Sequence, residues 1–172
     1  MNWDEYFLTI CRAVASKSPC RSRNIGAIIV REKSVVSTGF NGPPRGVPHC
    51  GSSRVSKDKE LQMAFSNEGI TIEQQMSEVC PRRLLHYPSG EGMDWCPAQH
   101  AEENAISNAA RNGVSTVGCQ LYLDSVIPCA NCFGTIINAG IVEVICTKTK
   151  IYDKYSKFII DNSSIKIREF KL

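Results

Sequence analysis

The chain has 172 residues, of which 42% are hydrophobic and 22% charged, and it carries a formal net charge of +3. That composition supports one globular domain over residues 1 to 172 and excludes a disordered or fibrous chain, while the mild charge argues against a nucleic-acid partner. No run approaches the roughly 18 apolar residues of a membrane span, and Met1 to Glu5 shows no basic segment leading into an apolar stretch, so a soluble, cytoplasmic protein is expected.

In chain order, Trp3, Phe7, Ile10, Cys11 and Val14 recur at helical spacing and predict an amphipathic helix over 3–17, ended by Ser18 and Pro19. The β-branched runs 25–30 and 35–40 flank the charged turn 31–34 and read as an antiparallel hairpin. Residues 41–96 lack a sustained period and form a long insertion, with short helices expected at 59–65 and 73–79. Helix 99–112, strand 119–124, helix 129–138, strand 141–146, helix 152–160 and strand 164–170 follow. Such β-α-β crossovers require parallel strands with helices on both faces, which makes the fold α/β.

Nine cysteines, an odd count, fit thiols and metal ligands better than disulfides, and Cys11, Cys119 and Cys146 sit in apolar runs as core candidates. The informative ones belong to Pro128-Cys129-Ala130-Asn131-Cys132, which follows His100-Ala101-Glu102. Together they supply three ligand side chains and a separate carboxylate. Three ligands leave a tetrahedral zinc one position for water, whereas a structural site closes with four. A redox reading of the Cys-x-x-Cys pair wants it after the first strand of a β-α-β unit, and here it lies late in the chain.

Pro97 and Pro128 suit the first turns of the two helices that bear the ligands. Cysteines three apart in a first turn share one face, where the helix dipole favours thiolate. Glu102 falls about 200° around a regular helix from His100, free to face the open position as a proton carrier. Glu103 reads as a solvated helix residue. This His-x-Glu and Pro-Cys-x-x-Cys pattern resembles the signature of zinc-dependent base deaminases, which implies a hydrolytic chemistry: zinc would activate water for attack on C4 of a cytosine ring, with Glu102 carrying protons to N3 and to the leaving amine.

Further stretches extend the pattern: Asn24-Ile25-Gly26-Ala27, Gly39-Phe40-Asn41-Gly42-Pro43-Pro44-Arg45-Gly46, Cys80-Pro81-Arg82-Arg83, Ser89-Gly90-Glu91-Gly92, Cys96-Pro97-Ala98 and the run from His100 to Ile106. On these residues the chain resembles the deoxycytidylate deaminase branch of the cytidine deaminase superfamily over nearly its full length. Glu103 stands where that family commonly has an apolar residue, and Asp124 to Ile127 depart from its usual lead-in to Pro-Cys.

The resemblance implies a three-layer α/β/α fold around a central five-stranded mixed sheet. It implies conversion of dCMP to dUMP, which feeds thymidylate synthesis, and a homohexamer activated by dCTP and inhibited by dTTP, with Mg2+ accompanying the triphosphate. It places Asn41 on the deoxyribose, and Ala101, Ser125, Tyr152 and Tyr155 at the substrate. Gly42, Arg45 and Arg111 fall to the effector. The residues also allow plainer roles: a turn for Asn41 to Gly46, a favourable helix-dipole contact for Arg111, and packing for the two tyrosines. Some members of the family hold a second, structural zinc, for which Cys20, Cys50, Cys80 and Cys96 are candidates, with His49 and His86 as alternates, in an insertion that otherwise lacks a core.

Other functions remain open on the sequence: deamination of another cytosine nucleotide or nucleoside or of a nucleic-acid base, and a non-enzymatic zinc-stabilised interaction module. Glu102 argues against the last, because a structural site requires no acid beside the metal.

Overall fold

The computed structural model describes every residue except Glu78, Ser89 and Tyr152. In chain order its elements are α1 (Trp3–Ala15), β1 (Gly26–Arg31), β2 (Ser34–Phe40), α2 (Ser52–Val55), α3 (Lys59–Asn67), α4 (Ile72–Gln75), α5 (Pro81–Leu84), a 3-10 turn (Met93–Trp95), α6 (Ala101–Arg111), β3 (Gln120–Val126), α7 (Ala130–Asn138), β4 (Glu143–Lys148), α8 (Lys154–Asp161) and β5 (Lys166–Glu169). They form two compact units. The first takes Met1–Ser18, Ile25–Asn41 and His100–Leu172, and the second takes Pro19–Asn24 and Gly42–Gln99.

In the first unit α1 begins at a reciprocal cap. Asn2 Oδ1 accepts the Glu5 N–H at 2.9 Å, and Glu5 Oε2 accepts the Asn2 N–H at 2.7 Å. The helix ends at Ala15, two residues short of expectation, where the Ser18 hydroxyl turns to the Asn41 carbonyl at 2.7 Å. Between β1 and β2 the expected turn tightens to Glu32 and Lys33, both at positive φ (48° and 63°), the sense that matches the twist of a two-residue hairpin.

The five strands lie in the order β2-β1-β3-β4-β5, antiparallel across β2-β1-β3 and parallel across β3-β4-β5, so the sheet is mixed. Successive side chains alternate faces. Ile28, Val30, Tyr122 and Ile145 pack on Phe7 and Cys11 of α1. On the opposite face Ala27, Ile29, Leu121, Leu123, Val144 and Cys146 join Ala101 and Ala105 of α6, Cys132, Phe133 and Ile136 of α7, and Ile159 and Ile160 of α8. This is the three-layer α/β/α arrangement expected.

One contact sets how α6 meets the sheet. A Cβ at Gly39 of β2 would stand 2.2 Å from the Ala105 nitrogen and 2.4 Å from the Ala101 oxygen, so helix backbone lies directly on strand backbone. Only glycine permits that approach. Asn104 and Asn108 complete the seam by donating to the Phe40 and Thr38 carbonyls, each at 2.8 Å.

The second unit corrects the expectation of a coreless insertion. Val55, Leu61 and Phe65 are buried, with Ile70, Leu84, Leu85 and Trp95 packed against them. Arg54 ties the unit together, donating to Asp58 at 2.9 Å and to the Trp95 carbonyl at 2.7 Å. Because its apolar residues come from several short turns rather than one long face, the insertion shows no period in sequence. The expected helix 73–79 shrinks to α4, and Glu78 lies outside the described residues. Among the described residues no helix is long and apolar enough to cross a membrane.

Candidate metal centre

His100 and Cys129 occupy equivalent positions. Each is the N-cap residue of its helix, α6 or α7, in extended backbone (φ −73°, ψ 158° and φ −72°, ψ 168°). The sequence reading placed both inside a first turn with Pro97 and Pro128 beside them; instead both prolines precede the helices. At an N-cap the side chain projects beyond the helix end, so two such residues can converge on one point. Cys132, in the first turn of α7 and fully buried, supplies the third group.

The three converge. His100 Nδ1 lies 3.2 Å from Cys132 Sγ and 3.6 Å from Cys129 Sγ, and all three ligand atoms fall within 4.8 Å of one another. A tetrahedral zinc with Zn–S of about 2.3 Å and Zn–N of about 2.0 Å sets N···S separations of roughly 3.6 Å, so this donor set fits the ion. Among the described residues it is the one group of His, Cys, Asp and Glu gathered so tightly.

Its electrostatics suit metal capture. The hydrogen bond from the Cys132 thiol, with further help from His100, draws the Cys129 thiol down to about 4, against the effect of burial. The hydrogen bond to Cys129 lifts His100 to about 9, again against burial. Cys132 is raised, first by its hydrogen bond to Cys129 and then by burial. One thiolate is therefore ready at neutral pH, and metal binding must displace protons from Cys132 and His100.

Glu102, on the first turn of α6, is 6% exposed, and burial raises its carboxyl above the ordinary value of 4.5. Its charge lies near enough to raise both His100 and Cys132. A buried carboxyl with a raised pKa beside a three-ligand metal set is equipped to exchange protons. Glu103, expected to be solvated, is half-buried and its Oε2 accepts the His100 backbone N–H at 3.2 Å, fixing the N-cap.

The other candidates are dispersed. Asn41 is buried, and its Oδ1 accepts the Ile25 N–H and the Ser18 hydroxyl, each at 2.8 Å, so it fastens the end of β2 as well as being a ligand candidate. Ala101, the first residue of α6, is buried, while Ser125 is half-buried in β3 with its carbonyl accepting the Thr147 hydroxyl at 2.8 Å. Tyr155 is 61% exposed beneath the Lys154 ammonium, 5.0 Å from its ring centroid, which removes the core-packing alternative; Tyr152 lies outside the described residues.

Gly42 and Arg45 belong to the second unit and Arg111 to the first. The Gly42 N–H donates to the Gln99 carbonyl at 3.1 Å, and Arg45 and Arg111 are exposed. Cys20, Cys50, Cys80 and Cys96 all fall in the second unit, where Cys80 and Cys96 act electrostatically on Cys50, yet the set is not drawn within 4.8 Å. His49 and His86 are exposed. Sequence reasoning missed Asp153 and Ser156, which reach the peptide groups beside Cys129; Asp153 shows in sequence only as a helix cap, and its partner lies 23 residues away.

Residues 1–148 match the family model for the cytidine and deoxycytidylate deaminase zinc-binding region. The chain is similar to the deoxycytidylate deaminase of Saccharomyces cerevisiae, 32% identical over 169 residues that cover 98% of this chain and 45% of that protein. It is also similar to the deoxycytidylate deaminase of Mycobacterium phage D29, 32% identical over 152 residues covering 86% of this chain and 95% of the relative. The chain thus spans less than half the length of the yeast relatives it matches. Its fold is similar to that of the dCMP deaminase from cyanophage S-TIM5 solved with dCMP and dUMP, with a TM-score of 0.64 at 18% identity over 96% of this chain and 94% of that one. With the family's zinc-binding region matched over β1 to β4, α6 with Glu102, and α7, the chain belongs to the cytidine and deoxycytidylate deaminase family.

Proposed function

We propose that this chain is a zinc-dependent hydrolase that converts dCMP to dUMP and ammonia. The observation that carries it is the buried Glu102 beside the converged His100, Cys129 and Cys132, in a chain whose phage and yeast relatives are deoxycytidylate deaminases. His100, Cys129 and Cys132 would hold a zinc ion, which would supply the Lewis-acid chemistry that makes water a nucleophile near neutral pH. Glu102 takes one proton from the attacking water and gives it to ring N3, then takes the second from the resulting C4 hydroxyl and gives it to the departing amine. The C4–N4 bond breaks, the water oxygen stays on C4 as the carbonyl, and dUMP and ammonia leave.

Asn41, Ala101, Ser125, Tyr152 and Tyr155 are assigned to the substrate; the support for Asn41 is the rigid hold on its side chain, and for Tyr155 its exposed ring. Ultraviolet absorbance on incubation with dCMP, dCTP, deoxycytidine and cytidine tests the reading. Turnover of dCMP well above the others is expected, and turnover of another substrate without dCMP overturns it.

The proposal extends to a cytoplasmic homohexamer supplying dUMP for thymidylate synthesis, activated by dCTP with Mg2+ and inhibited by dTTP, with Gly42, Arg45 and Arg111 at the effector. The exposed guanidinium of Arg111 at the end of α6 supports this assignment. Arg111→Glu is expected to erase a regulatory response of roughly 5- to 150-fold while basal turnover persists, and unchanged activation and inhibition overturn the assignment. A structural zinc in the second unit, at Cys20, Cys50, Cys80 and Cys96 with His49 and His86 as alternates, requires those thiols to be drawn together. Elemental analysis is expected to give two zinc per chain; one removes the second site.

A further inference from the structure

The metal centre is braced from an element that contributes no ligand. Asp153 is the N-cap of α8, and its Oδ1 accepts the Ser156 N–H at 2.7 Å. Its Oδ2 accepts the N–H of Ala130, the first residue of α7, at 3.1 Å. The fully buried Ser156 hydroxyl stands 2.9 Å from that same Oδ2 and 3.2 Å from the Pro128 carbonyl. Pro128 and Ala130 flank Cys129, so the peptide groups on both sides of this cysteine are engaged by the first turn of α8. Helix α7 has no side-chain cap of its own. One carboxylate thus serves two helix N-termini, where negative charge is favoured.

From this geometry we infer that Asp153, with Ser156, is a positioning residue of the metal centre, holding the Cys129 backbone so that its Sγ stays within reach of His100 and Cys132. The inference rests on the zinc reading of that cluster. A ligand side chain is only as well placed as the peptide units that carry it, and residues behind metal ligands typically contribute 10- to 100-fold in metal affinity. The carboxylate also keeps an acceptor on the Ala130 N–H, which otherwise loses its partner in a half-buried position.

The test follows zinc release from the holoprotein to a coloured chelator, with the melting of metal-stripped protein recorded alongside. Asp153→Ala is expected to release zinc roughly 10- to 100-fold faster than the wild type. Asp153→Ser keeps a good cap for α8 but is too short to reach Ala130, and it is also expected to release zinc faster. Asn2→Ala removes the cap of α1, far from the metal, and is expected to leave release unchanged while lowering the melting temperature much as Asp153→Ala does. Release at the wild-type rate from Asp153→Ser overturns the proposal, and so does equal acceleration by Asn2→Ala. If Asp153→Ala fails to fold, the serine variant decides. Absence of zinc from the wild type instead refutes the zinc reading itself.

Discussion

Glu102→Gln is expected to lower dCMP turnover by at least 10²- to 10⁴-fold, the scale of a positioned general acid and base, while zinc content stays at the wild-type level. Glutamine preserves the volume and leaves His100, Cys129 and Cys132 untouched, so metal binding and proton transfer separate cleanly. Zinc by elemental analysis and ammonia by a coupled assay measure the two quantities. Retained turnover removes Glu102 from the chemistry, whereas lost zinc makes it a structural residue.

The same variant has a stability signature. Burial raises the Glu102 carboxyl above 4.5, so its neutral form is favoured in the folded chain. Its contribution to stability is fully present below pH 4.5 and is lost as pH rises through the higher folded-state value. Metal-stripped wild type is therefore expected to melt below Glu102→Gln at pH 8, with the gap closing toward pH 4. His100, lifted to about 9, loses its contribution as pH rises from about 6.5 to about 9; that loss comes first from Cys129 and is largely common to both proteins. A burial penalty of about 1–3 kcal/mol converts to roughly 2–4 °C per kcal/mol for a chain of this length. A wild type more stable than the variant at pH 8 contradicts the argument.

Gly39→Ala is expected to be strongly destabilising to the first unit. The added methyl meets the backbone of Ala101 and Ala105 at 2.4 and 2.2 Å, and backbone cannot rotate out of the way as a side chain can. Helix α6 must lift from β2, and with it the helix end that carries His100 and Glu102. Overpacking of this kind costs about 3 kcal/mol, which lowers the melting temperature by roughly 6–12 °C. Zinc occupancy should fall with it. Gly134→Ala in α7 is the control, because nothing lies within 4 Å of its added Cβ and alanine favours a helix by up to about 1 kcal/mol. Equal melting of the two variants removes the proposed seam.

The converging His100, Cys129 and Cys132 and the buried Glu102 were legible as candidates in sequence because spacing along a short segment reports them: His100 and Glu102 are two apart, Cys129 and Cys132 three apart. The strands were legible too, since β1, β3 and β4 are buried on both faces and read as continuous apolar runs. Helix starts were misplaced by one or two residues at α6 and α7. A proline before a helix and a proline in its first turn look alike in sequence, and only backbone angles separate them. Glu103 was misread for a related reason, since its contact to the His100 N–H depends on where the helix begins. The insertion's core escaped because it gathers apolar residues from separate turns.

By itself, then, the sequence determined the chemistry: an imidazole, two thiols and a carboxylate in an order that a zinc-dependent deaminase requires, on an α/β chain with alternating elements. The tertiary structure alone decided what holds that chemistry in place. It laid α6 on β2 through Gly39, made His100 and Cys129 the N-caps of two helices that meet, and brought Asp153 to the Ala130 N–H across 23 residues. Spacing along the chain reports only what lies on one element. Contacts between elements depend on strand order and on how closely backbones can approach, and those are settled only when the sheet assembles.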